Sequence, residues 1–190
     1  MKLLLHVCCG PCTIYPLSVI RGEGIDVSGY FFNPNIHPFK EFKKRKEAAR
    51  HVSEHFNFPI IWENKYGLIE FLRKTVFHEQ QRCPICYDLR LSKTASYARE
   101  NGFDAFSTTL LYSRYQNHQA LLETGLRLAD TFGLSFFYRD FRQGWQEGID
   151  ISRSLDLYRQ SYCGCIYSEQ ESFDKHFKKK SPQQKVSSFL

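Results

Sequence analysis

The chain lacks any apolar run approaching the ~20 residues that a membrane-spanning helix needs, so no segment reads as a membrane span. Its opening MKLLLHV is too short for a signal-peptide core and runs straight into cysteines, with no small-residue cleavage site. The expectation is a cytoplasmic protein. No internal repeat is present, which sets repeat architectures aside. No glycine–serine phosphate loop follows the first apolar run, which argues against ATP. An even cysteine framework is missing too. The count is seven, and cytosolic thiols are kept reduced, so structural disulfides are not expected.

What is present is thiol in three tight groups: Cys8, Cys9 and Cys12; Cys83 and Cys86; Cys163 and Cys165. No cysteine lies between the groups. Cysteines used only for packing would scatter, so the grouping points to a metal or redox site. The 190 residues suit one domain, and 42% hydrophobic residues suffice for a core. We expect a domain over residues 1–177 and a polar, basic tail over 178–190. Net charge is +6, with basic clusters at Lys40–Arg50 and Asp174–Lys180, and aromatics are 16% of the chain. A polyanionic partner with bases to stack would use both features. A rich core with solvated lysines would produce the same composition.

Apolar runs alternate with helical patterns. Residues 2–7 read as a buried strand, and GPCTIYPLSVIRGEG as a helix with Pro11 in its first turn, Pro16 as a blemish and Gly22 and Gly24 closing it. Strands are expected at 27–32, in FPIIWE, in DAFSTTL and in LSFFYRD. Helices are expected over 39–56, 67–74, from Pro84 to about Glu100, and over 116–132. Strand–helix alternation predicts an α/β fold: a mainly parallel sheet flanked by helices, Rossmann-like, in a single domain. Such sheets bind ligands beyond the carboxyl ends of their strands, where Cys8 and Cys9 stand.

A thiolate, not a thiol, ligates metal, and helix N-termini help the proton leave. CCGPC and RCPIC both place cysteines at an expected helix start, with Cys83 near the N-cap and Pro84 at the first helical position. The pattern C-C-x-x-C, C-x-x-C and C-x-C is no zinc-ribbon layout and offers more thiols than one tetrahedral ion takes. An iron–sulfur cluster fits it better than zinc. In YCGC, Gly164 permits a sharp backbone, so Cys163 and Cys165 are a strained redox dithiol, a second metal site, or two packed cysteines. Asp88 offers an oxygen ligand or a proton, or is a solvated helix residue. His6 is a core histidine or a ligand; His37 and His118 are open in the same way. Thr108, Thr109, Ser113, Tyr115 and Asn117 follow a strand and line a substrate pocket or are ordinary loop polarity. Lys43, Lys44, Arg45 and Lys46 are candidates for phosphate contacts, with the tail lysines.

The ordered set LLLHVCCGPC, RCPICYDLRL, FSTTLLYSRYQNH and LYRQSYCGCIYS resembles the QueH family of epoxyqueuosine reductases from the first strand to about Ser168. The resemblance implies a cobalamin-independent oxidoreductase for the last step of queuosine synthesis: removal of the epoxide oxygen from epoxyqueuosine at the tRNA wobble position. It implies a [4Fe–4S] cluster on Cys8, Cys9, Cys83 and Cys86, and a redox-active pair at Cys163 and Cys165. It implies a fold like the nucleotide-hydrolase-like (HUP) α/β group, with the phosphate loop replaced by cysteines. The role of Cys12 stays open. A further iron ion on leftover thiols and Asp88 would supply an open Lewis-acid site. The expected partners are tRNA bearing epoxyqueuosine and an electron donor, without ATP or membrane. Two other classes remain: an iron–sulfur or zinc tRNA-thiolating enzyme, which should bind ATP, and a non-enzymatic redox or metal-binding module, which would not need a polar loop after the fourth strand.

Overall fold

A computed structural model describes residues 1–180, with side chains described to Phe177. The tail expected over 178–190 lies outside these, apart from the last turn of the final helix. The chain runs β1 (Lys2–His6), α1 (Pro11–Gly22), β2 (Asp26–Phe31), α2 (Phe39–His55), β3 (Ile60–Trp62), α3 (Leu68–Thr75), α4 (Arg82–Glu100), β4 (Ala105–Thr108), α5 (His118–Phe132) and β5 (Ser135–Phe136). It ends in α6 (Trp145–Ser154), α7 (Ile166–Phe173) and α8 (Lys175–Lys180).

All five strands are parallel, in the order β3-β2-β1-β4-β5. This is the doubly wound arrangement, with its switch point between β1 and β4. Right-handed crossovers put α1 and α2 on one face and α4 and α5 on the other. The packing agrees: α1 lies against α2 and α6, and α4 against β1, β4 and α5. β1 is central, so Leu3, Leu4 and Leu5 are fully buried on both faces. Each contributes roughly 1.5–3 kcal/mol.

Several boundaries differ from the sequence-based expectation. β5 keeps only two paired residues. Gln81, not Cys83, caps α4, so Cys83 and Pro84 lie inside its first turn. Pro16 neither breaks nor shortens α1. After β4 the chain tightens into a 3-10 turn over Thr109–Tyr112, nucleated by the Thr108 hydroxyl accepting from Leu110 N–H. Helices α6, α7 and α8 were not expected. Gly148 dilutes the apolar pattern of α6, and α7 has only 8 residues. In every βαβ unit the helix runs against the strands. The N-termini of α1 and α4 therefore meet at the carboxyl edge of the sheet, as CCGPC and RCPIC require.

Candidate functional site

The β1–α1 turn carries the first thiol group. Cys8 and Cys9 follow β1, and Cys12 is the second residue of α1. Gly10 between them is required: a Cβ there would run into the Ala48 carbonyl of α2. The turn is tied down by Cys8 N–H to Thr109 Oγ1 at 3.0 Å and Thr13 Oγ1 to the Cys9 carbonyl at 2.7 Å. All three thiols are buried, and their sulfurs lie within 4.8 Å of one another. Among the described residues, no other set of three or more Cys, His, Asp or Glu side chains brings its ligand atoms so close. Hydrogen bonds shared with Cys12 and then Cys9 hold Cys8 well below the ordinary thiol range. Burial pushes Cys9 up to about 12, and the bond to Cys8 followed by the bond to Cys9 raises Cys12.

The other four cysteines form a neighbouring set. Cys86 and Cys165 are buried together with Phe71. Burial raises Cys83 to about 11 and Cys86 to about 12, and for both the charges of Cys163 and Cys165 add to the rise. Burial also raises Cys165. Its sulfur caps α7, accepting from Ser168 N–H at 3.4 Å. Cys83 and Cys163 are exposed, and all seven cysteines are free thiols.

The C-G-C turn is gripped from two elements far away in sequence. Arg45 of α2 donates from Nη1 to the Cys163 carbonyl at 2.7 Å and from Nη2 to the Tyr162 carbonyl at 2.9 Å. Its Nε donates to Glu41 Oε1 at 2.7 Å. Tyr158 donates its hydroxyl to the other Glu41 oxygen. His37 N–H donates to the Gly164 carbonyl at 2.8 Å, and the Tyr162 hydroxyl donates to the His37 carbonyl. Gly164 has φ +144°, a glycine conformation. Two amides reach the sulfurs: Gln116 Nε2 lies 3.2 Å from Cys163 Sγ, and Gln160 Nε2 lies 3.3 Å from Cys9 Sγ.

Two buried arginines connect the sets electrostatically. Arg90 acts on Cys86 and Cys8, and Arg45 on Cys9 and Cys163. Arg45 thus departs from the expected phosphate contact: it is 2% exposed and its donors are spent inside the protein. Lys43 and Lys44 are exposed and Lys46 is half-buried, their ammonium groups over Phe39, Tyr158 and Trp62. Of the alternatives open for Asp88, the structure gives the solvated helix residue. Two positions after Cys86 is about 200° around a helix. Asp88 is half exposed and ion-paired with Arg127, as a solvated helix residue would be.

The polar loop divides. Thr108 and Thr109 are buried struts of the site, bonding His6 Nδ1 and Cys8 N–H. Asn117 caps α5 through Ala120 N–H, and Ser113 Oγ accepts from Tyr115 N–H. Tyr115 is exposed, edge-on to Trp145. His6 is a core histidine, and His37 and His118 are buried with one ring nitrogen each bonded to a carbonyl. Reasoning from the sequence missed Arg90, Asn33, Gln116 and Gln160. The signal for Arg90 was its phase: it shares the buried stripe of Tyr87, Leu91, Thr94 and Ala98. Arg45 likewise shares the stripe of Phe42, Ala49 and Val52.

Clustered, buried sulfur donors beside two buried cations suit a soft, thiolate-bound metal group, and the residues fit an iron–sulfur cluster. The family model for epoxyqueuosine reductase QueH matches residues 3–171. An epoxyqueuosine reductase QueH of Dehalococcoides mccartyi is 43% identical over 174 residues, covering 92% of this chain and 96% of that protein. Those of Thermotoga maritima and Acinetobacter baylyi are 35% and 36% identical, covering 93% and 80% of their own lengths. No helix among the described residues is long and apolar enough to cross a membrane. With the match running over nearly all of the folded chain, the protein belongs to the epoxyqueuosine reductase QueH family.

Proposed function

We propose that this chain reduces epoxyqueuosine to queuosine at the wobble position of tRNA, the last step of queuosine synthesis, in the cytoplasm. Membership of the QueH family supports the reading, and the single structural observation that carries it is the meeting of all three cysteine groups at one sheet edge. The step is a two-electron deoxygenation. The epoxide oxygen leaves as water, taking two protons, and the carbons close to an alkene. Oxidation of the Cys163–Cys165 dithiol to a disulfide supplies those electrons and protons, and an external donor then restores the dithiol. A [4Fe–4S] cluster held by Cys8, Cys9, Cys83 and Cys86 would supply one-electron relay beside the dithiol.

The chain's own residues do the rest. Arg45 and His37 fix the C-G-C backbone. Gln116 holds an N–H against Cys163 Sγ at 3.2 Å, suited to steady a thiolate as it forms. Tyr87 donates its hydroxyl to Gln116 Oε1 at 2.9 Å, which orients that amide. Tyr115 and Trp145 offer exposed and half-buried rings for an unpaired base. Lys43, Lys44 and Lys46 are the proposed phosphate contacts. Cys12 stands as the spare thiol of the trio, available to a further iron ion.

The test is anaerobic purification with iron and sulfide counts, then incubation with tRNA bearing epoxyqueuosine and a chemical reductant. Nucleoside digestion should release queuosine. Cys163→Ser and Cys165→Ser should abolish turnover while keeping iron and sulfide. Protein loaded with iron and sulfide that leaves epoxyqueuosine untouched would overturn the reading.

A further inference from the structure

A buried cation needs a buried anion, and Arg90 has none made of carboxylate. It is 2% exposed, at the heart of the molecule on α4. Its Nη2 donates to Asn33 Oδ1 at 2.7 Å, its Nη1 to Cys86 Sγ at 3.8 Å, and its Nε faces His6 Nε2 at 3.3 Å. None of these partners is a carboxylate. His6 is fully buried, its Nδ1 against the Thr108 hydroxyl at 2.9 Å. Its Nε2 also lies 3.1 Å from the Phe32 carbonyl and serves only one of the two neighbours in either tautomer. Among the described residues no ion pair to Arg90 exists. Arg45, the other buried arginine of the site, has Glu41 at 2.7 Å. An isolated charge taken out of water is strongly unfavourable, so selection of arginine here demands a countercharge.

The groups within reach of Arg90 that can carry negative charge are sulfurs. Cys86 and Cys8 act on it first, from α4 and from the end of β1 respectively, with Cys163 behind them. Asn33 fastens the guanidinium to the same place, since its Nδ2 donates at 2.9 Å to the carbonyl of Val7, the residue before Cys8. We propose that Arg90 is the built-in countercharge of the thiolate centre, tying sulfur ligands at Cys8 and Cys86 into one anionic site and setting the reduction potential of the cluster they carry. It is a positioning residue, acting through the ligands, and the inference rests on the cluster reading above. A fixed positive charge and an N–H aimed at a ligand sulfur both favour the more negative, reduced cluster.

Removing that charge should lower the midpoint potential. The experiment measures iron, sulfide and the midpoint by anaerobic redox titration, followed by absorption and electron paramagnetic resonance. Arg90→Gln should shift the reduced-to-oxidised ratio at fixed potential by about tenfold or more, a fall of about 59 mV for one electron. Arg90→Lys, which keeps the charge, should stay within about threefold. Asn33→Asp places a carboxylate against the guanidinium and should lower the midpoint in the same direction, so it decides the matter if Arg90→Gln does not fold or load. Normal iron and sulfide with an unchanged midpoint in Arg90→Gln or Asn33→Asp would overturn the countercharge. Wild-type protein that takes up no iron or sulfide would overturn the cluster reading, and this inference with it.

Discussion

Arg45 Nη1 meets the carbonyl of Cys163 at 2.7 Å across 118 residues of sequence. The contact makes the buried face of α2 the anvil on which the C-G-C turn is shaped. It also leaves Glu41 dependent on the same guanidinium. Arg45→Met should cost about 3–5 kcal/mol, because buried Glu41 loses its countercharge and keeps only the Tyr158 hydroxyl. At about 3 °C per kcal/mol for a chain of this size, the melting temperature reports it readily. Adding Glu41→Gln should recover part of the melting temperature and none of the turnover, because the carbonyl clamp on Cys163 stays lost. Recovery of turnover in the double variant would show that Arg45 matters only to stability.

Gly164 should resist every side chain. Its φ of +144° is a glycine conformation, and a Cβ would come to 3.1 Å from Arg45 Nη1 and 3.3 Å from Asn35 Nδ2. Gly164→Ala should cost on the order of 1–3 kcal/mol. The strain sits between the two proposed redox sulfurs, so the rate of Cys163–Cys165 disulfide formation with a mild oxidant should change along with the denaturation midpoint. An alanine variant that oxidises at the wild-type rate would show that the turn geometry is not what readies the dithiol.

Much of this was legible in the chain. Leu3 to Leu5 announce a central strand, and Pro11 and Gly10 announce the helix start that presents Cys12. The first two cysteine groups pointed to one edge because both stand at the starts of crossover helices, which begin there. What was not legible was burial of charge. Arg45 sits in a run with Lys43, Lys44 and Lys46, and composition reads the run as one basic face; only the helical phase separates it from its neighbours. The same phase sets Asp88 apart: close to Cys86 in sequence, it lies about 200° away around the helix, where the solvated alternative holds. The partition of seven thiols into two sets was beyond sequence, because it depends on where a loop after α6 lands.

The trio makes a separate, decidable claim about Cys12. The proposed cluster ligands are Cys8, Cys9, Cys83 and Cys86, yet the sulfurs within 4.8 Å of one another are those of Cys8, Cys9 and Cys12. Cys8→Ser and Cys9→Ser should lose both iron and sulfide, since each belongs to both arrangements. Cys12→Ser should keep sulfide and lose at most the iron that lies outside the cluster. Loss of sulfide in Cys12→Ser, with retention in Cys83→Ser, would move the ligand set onto the trio.

The lysines of α2 should act through charge alone. Lys43, Lys44 and Lys46 lie over Phe39, Tyr158 and Trp62, which fixes their direction without neutralising them. A protein that neutralises phosphates releases counterions, so log affinity falls linearly with log salt, by about 0.7–0.9 per contact. Lys43→Gln and Lys44→Gln should each weaken tRNA binding at low salt and flatten that slope by about one contact. Arg45→Lys should not flatten it, because that side chain is buried and never meets phosphate. Filter binding or fluorescence titration across a salt series separates these outcomes. A slope unchanged in the Lys43→Gln, Lys44→Gln double variant would place the tRNA backbone on another face.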